Sequence, residues 1–165
     1  MRPFKAKGAT VVARLDPAEA GIVGLLLDQL DQLLTADRGD VADDPVLARL
    51  LPDGHRGDPA LAADYRALTE SSLREGKTDD LAMVRATLPP EGGEVRLDLD
   101  QAGAWLRCTN DLRLALGTRL DISEDTEPPD DFTDERDHQL GVYYWLTALQ
   151  GSLVDALADA RGARR

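Results

Sequence analysis

Hydrophobic spacing along this chain changes from weak alternation at its start to helical periodicity over most of its length. In residues 3–15, Lys7-Gly8 separates Phe4-Lys5-Ala6 from Thr10-Val11-Val12-Ala13, which predicts a short β-hairpin turning at Gly8. A lone hairpin is marginal in water, so it is expected to pack on helices. The next stretch, DPAEAGIVGLLLDQLDQLL, places Asp16 as N-cap, Pro17 at the first helical position and Glu19 in the first turn. Its apolar residues, Ile22, Val23, Leu25, Leu26, Leu27, Leu30, Leu33 and Leu34, cover most of the circumference, which predicts a central helix.

The same start signal, Asp then Pro, returns at Asp44-Pro45 and Asp58-Pro59, predicting a short helix and then a longer one over 59–75 that Gly76 ends. TDDLAMVRATLPP predicts another short helix, closed by Pro89-Pro90. EGGE turns into VRLDLD, where Val95, Leu97 and Leu99 alternate with charged residues, a brief strand that can add a third to the hairpin. Asp100 is expected to cap a helix reaching residue 120. The final helix, 134–160, lines up Val142, Trp145, Leu146, Leu149, Leu153, Ala156 and Leu157 on one face. The whole pattern is that of a mainly α, single-domain helical bundle: hairpin at 3–15, helical core at 16–120, acidic loop at 121–133, C-terminal helix at 134–160.

Composition narrows the function classes. A length of 165 residues with 42% hydrophobic and 30% charged content suits one globular domain with its own core. Nineteen basic residues, 16 of them Arg, stand against 31 acids, for a net charge of −12. Such a field repels phosphate backbones and argues against direct nucleic-acid binding unless positive charge gathers on one face. The excess of Arg over Lys is what GC-rich bacterial coding produces. The N-terminus has no apolar signal core, and the longest apolar run, AGIVGLLL, falls far short of the ~20 residues of a membrane span. Both features predict a cytoplasmic protein.

The unusual segment is WLRCTNDLRLALGTRL, residues 105–120. On a helical wheel Ala102, Trp105, Leu106, Thr109, Leu112, Leu116 and Leu120 form an apolar stripe with Arg113 in its middle. An Arg there is costly to bury unless a carboxylate or several carbonyls meet it. The helix predicted over 59–75 offers Arg66, Glu70 and Arg74 at i, i+4, i+8, so a Glu70–Arg113 pair is predicted, with Asn110 bonding nearby backbone. These residues and Arg119 form either a packing network or a partner-binding surface. Leu140, Tyr143 and Tyr144 lie off the main stripe of the last helix and predict a second apolar surface, a homodimer or partner interface.

Other chemistry finds little support. Cys108 is the only cysteine, which excludes an intramolecular disulfide; it reads as a small core residue or, beside Arg107, as a redox thiol. His55 and His138 lack metal-ligand spacing. Residues 121–137 hold nine acids and one Arg, and the alternation of Asp121, Ser123, Asp125 and Glu127 imitates a calcium loop. The imitation fails where Thr126 replaces the turn glycine and Phe132 the closing glutamate, leaving a solvated loop or a docking segment for a basic partner. Neither a phosphate-binding glycine loop nor a nucleophile elbow occurs, so no cofactor is expected and an enzyme is the weakest class.

The opening FKAKGATVVARLDPAEAGIVGLLLDQLDQLL, the stretch DDPVLARLLPDGHRGDPALAADYRALTESSLREGK and, most specifically, Trp105, Asn110-Asp111, Arg113-Leu114, Leu116-Gly117 and Arg119-Leu120 resemble a known family. It is the actinobacterial family long catalogued as a domain of unknown function, commonly encoded beside the Clp adaptor ClpS, which includes AosR-like oxidative stress transcriptional regulators. The resemblance covers nearly the full length. It implies a non-enzymatic regulator that contacts a sigma factor or RNA polymerase. The runner-up is a direct DNA-binding transcription factor, which needs Arg107, Arg113 and Arg119 on one exposed strip; the wheel spreads them apart. A thiol switch built on a cysteine pair, as the resemblance implies for some members, has no second cysteine here.

Overall fold

The computed structural model describes residues 2–36, 44–51 and 59–165, without the side chains of 59 and 62–68. Strands β1 (Arg2–Lys7), β2 (Thr10–Leu15) and β3 (Gly93–Leu97) form an antiparallel sheet in the order β1-β2-β3. The hairpin turns at Gly8, whose φ of 61° suits glycine, and the third strand joins as the alternation allows. Val11 pairs with Leu97 and Ala13 with Val95, so period-2 geometry puts the buried Phe4, Val11, Ala13, Leu15, Val95 and Leu97 toward the helices.

Five helices follow among the described residues: α1 (Pro17–Thr35), α2 (Pro45–Leu50), α3 (Pro59–Thr87), α4 (Leu99–Arg119) and α5 (Glu135–Ala163). Asp16 caps α1 in a reciprocal box, its Oδ1 accepting from the Glu19 amide at 2.8 Å while Glu19 Oε2 accepts from the Asp16 amide at 2.8 Å. Asp44 caps α2 through the Val46 amide. The expected Asp58 cap lies outside the described residues.

Three boundaries differ from the sequence expectation. Residues 59–75 and the following segment form one helix of 29 residues, because Gly76 takes helical geometry and the turns around it are held from the side. Arg74 bonds Glu70 and the Leu34 carbonyl, Thr78 bonds the Arg74 carbonyl, and Leu81 and Val84 are buried. Gly76 costs only about 1 kcal/mol relative to Ala in a helix, too little to break a helix so supported. The cap of α4 is Asp98, not Asp100: β3 stops at Leu97, and Asp98 closes a box with Gln101. The last helix continues to Ala163.

The central helix is α4 rather than α1. Helix α1 buries Ala20, Val23, Leu27, Leu30, Leu33 and Leu34 on one side and leaves Leu25 59% exposed. Helix α4 packs against all four other helices and the sheet, antiparallel to both α3 and α5. Its Trp105 is 1% exposed beneath the edge of Phe4, with ring centroids 5.5 Å apart at 63°, and donates from Nε1 to Thr87 Oγ1 at 2.7 Å. One ring thereby joins the sheet, α3 and α4. Polarity on α4 misleads the wheel because Asp111, Arg107 and Arg113 reach side chains of the neighbouring helices.

Candidate functional site

Two polar flanks run along α4. The flank toward α3 is neutralised. Lys77 Nζ bonds both carboxylate oxygens of Asp111 at 2.9 and 3.1 Å, and Arg107 grips Asp80 through Nε and Nη2 at 2.9 Å each. Asp111 is 5% exposed, so Lys77 answers the charge that α4 buries there. Lys77 and Asp80 were not singled out from sequence, and Asp111 only as part of the Asn110-Asp111 pair that carries the resemblance; the available signal was an acid and a base on each of two helices, spaced to meet when those helices run antiparallel.

Burial raises the Asp111 carboxyl above its ordinary range, with Lys77 opposing the rise and Asp80 adding to it. The folded state therefore holds this proton more tightly than the unfolded one, and this group's contribution to stability falls as pH rises from about 3.8 through the shifted titration. Asp111→Asn should gain stability relative to the parent as pH rises across that window, measured by urea unfolding of both proteins. A variant that loses ground over the same range contradicts this.

Cys108 sits beneath this flank, 1% exposed, and its thiol is pushed up to about 12, first by burial and then by Asp111 and Asp80, against the opposite pull of Lys77 and Arg85. Arg107 does not activate it, being committed to Asp80. The place is that of a small core residue, and the thiolate needed for redox chemistry is suppressed in this conformation. Native Cys108 should react with an aromatic disulfide reagent at least ~100-fold more slowly than in denaturant, since attack requires opening of the core. Equal rates in the two conditions contradict the burial.

The flank toward α5 is built differently. Arg113 does not meet Glu70, which pairs with Arg74 at 3.1 Å on its own helix. It turns instead to α5, donating from Nε to Thr147 Oγ1 at 3.0 Å and from Nη1 to Gln150 Oε1 at 3.4 Å, with its guanidinium carbon 5.4 Å from the centre of the Tyr143 ring. The wheel gave the side of α4 but not which neighbour lies there. Asn110 accepts from Gln150 Nε2 at 3.2 Å rather than bonding backbone, completing an Arg113–Gln150–Asn110 chain. A Cβ on Gly117 would stand 3.0 Å from Tyr143 Cε2, so glycine lets the ring lie against α4 under Arg113. Arg49, Arg113, Gly117, Thr118, Asp121 and Tyr143 line an open groove of about 410 Å³ between α2, α4 and α5.

The predicted apolar surface on α5 resolves otherwise. Leu140 is 6% exposed in the interior, and Tyr143 and Tyr144 are half-buried. Tyr143 carries Arg113, while Tyr144 donates its hydroxyl to the Thr126 carbonyl at 3.1 Å and holds down the acidic loop. Phe132 lies on Gly141, pinning the loop's other end. These contacts within the chain occupy both tyrosines because the loop folds back over α5. Arg119, exposed, lines a small apolar pocket between α1 and α4, so Arg107, Arg113 and Arg119 face α3, α5 and α1 respectively. Arg66 and His55 lie outside the described side chains. No described helix is long and apolar enough to cross a membrane.

Comparison with known proteins gives consistent matches. Residues 1–157 match the family model described as a domain of unknown function, DUF2017. The chain is 33% identical over 153 residues to the oxidative stress regulator AosR of Mycobacterium tuberculosis, covering 81% of this chain and 68% of that protein. The same figures hold for AosR of Mycobacterium bovis. A Mycobacterium leprae relative carrying the AosR name is 33% identical over 169 residues, covering 88% of this chain and 78% of that one. No solved structure matches.

Proposed function

The chain belongs to the DUF2017 family, and we propose that it is a non-enzymatic, cytoplasmic regulator that links oxidative stress to transcription by contacting a protein partner. The observation that carries this reading is the identity, over four-fifths of the chain, to proteins named oxidative stress regulators. The partner suggested by the resemblance is a sigma factor or RNA polymerase. Contact with protein rather than DNA is favoured by the net charge of −12 and by three arginines of α4 that turn toward three different helices. A redox sensor confined to this chain is disfavoured by the buried thiol.

The test is genetic and biochemical together. Cells lacking the gene are challenged with peroxide, their transcripts are compared with those of the parent, and a tagged copy is used to recover bound sigma factor and polymerase subunits. A changed peroxide response with recovery of either partner supports the reading. An unchanged response overturns it.

A further inference from the structure

We propose that the groove between α2, α4 and α5 is a docking site for an acidic segment of a protein partner, whose carboxylate is received by Arg113 and Arg49; this rests on the reading that the protein acts by protein contact. Among the described residues the half-buried cations are Arg74, Lys77 and Arg113, and of these Arg113 alone has no ion pair. Arg74, Lys77, Arg85, Arg96 and Arg107 each meet a carboxylate of this chain. Arg113 is oriented by two oxygens and an aromatic face, yet its described partners are all neutral. Its position is fixed while its charge stays unanswered.

The guanidinium geometry leaves a place for the missing anion. Five N–H donors radiate from Arg113, and the two bonds to α5 use one on Nε and one on Nη1. No described bond uses Nη2, so its two N–H groups stay open to a carboxylate. Because Thr147, Gln150 and Tyr143 already fix the side chain, a ligand does not bear the full entropy of ordering it. Arg49, exposed on α2 and without an ion pair among the described residues, lines the same groove and adds a second cation. The one carboxylate on the lining, Asp121, pairs with neither arginine. Two cations against one acid make this a local reversal in a chain of net charge −12.

A protein segment fits the groove better than a free anion. Its volume of about 410 Å³ far exceeds a phosphate, and Leu114 and Ile122 give it apolar wall beside the arginines. Charged head and apolar surroundings together suit a peptide side chain with its neighbours.

The experiment uses the full chain and a fluorescein-labelled peptide of alternating Glu and Leu as probe, read by anisotropy. Arg49→Ala, at an exposed position, should weaken binding about tenfold, and Arg113→Gln should weaken it more, as loss of charge-assisted bonds does. Arg107→Ala, which removes a cation engaged elsewhere, should leave binding unchanged, and thermal melts identify any variant that fails to fold. Inorganic phosphate should compete no better than chloride at matched ionic strength. The proposal is overturned if Arg49→Ala binds like the parent, if Arg107→Ala weakens binding equally, or if phosphate displaces the peptide specifically. Failure here with the peroxide response still dependent on the gene discards the groove and leaves the regulator.

Discussion

Trp105→Ala is expected to lower the unfolding free energy by about 3–5 kcal/mol, the cost of emptying a large aromatic site that the surroundings cannot refill. The indole is 1% exposed, so its removal forfeits nearly all of its burial and leaves the surrounding core atoms lining a void. Phe4 loses its edge-to-face partner and Thr87 Oγ1 loses its Nε1 donor, which loosens the sheet and the end of α3 together. Small domains carry about 5–15 kcal/mol in all, so the variant sits close to its unfolding threshold. Urea unfolding monitored by far-ultraviolet circular dichroism measures this. A loss below about 1.5 kcal/mol contradicts the placing of Trp105 at the shared junction.

The second large effect is at Gly92, with Gly76 as its opposite. Gly92 adopts φ 79°, and a Cβ there would come within 2.7 Å of Pro17 N, 2.8 Å of Asp16 C and 3.0 Å of Leu15 O. These are backbone atoms of the corner joining β2 to α1, which cannot swing aside as a side chain does. Gly92→Ala therefore combines left-handed backbone strain of about 1–2 kcal/mol with a main-chain collision, and a total loss of about 3 kcal/mol or more is expected. At Gly76, in mid-helix, an added Cβ meets nothing within 4 Å. Gly76→Ala should stabilise by about 0.5–1 kcal/mol. Thermal melts of the two variants should move in opposite directions; a shift of the same sign in both contradicts the backbone assignment.

Local chemistry was legible wherever a signal stays within a few residues. Asp16-Pro17 and Asp44-Pro45 mark helix starts that the structure caps as expected, and Gly8 turns the hairpin. Gly76 misled because a helix breaker is a local preference of about 1 kcal/mol, while the contacts that carry α3 through it come from distant residues such as Leu34 and Asp111. Arg113 misled similarly. Its need for polar company was readable from the apolar stripe, but the choice between Glu70 and the Thr147–Gln150 pair depends on which helix packs beside α4. The pairing of Lys77 with Asp111 stayed hidden because neither residue breaks its own helix's pattern. Tyr143 and Tyr144 stood out as aromatics off the stripe, and what covers them, Gly117, Arg113 and the returning loop, is tertiary.

The replaced partner for Arg113 also changes what its removal should do. With no buried carboxylate left behind, its loss costs stability modestly, and its main effect falls on the groove. The central claim is that a transcription partner is held through that groove by a stress-linked regulator. The measurement that tests it most directly is titration of the fluorescently labelled chain with purified RNA polymerase holoenzyme from its source organism, comparing parent and Arg49→Ala protein. The account predicts saturable binding by the parent and about tenfold weaker binding by the variant, with equal melting temperatures. No binding by the parent, or binding that Arg49→Ala leaves untouched, contradicts it.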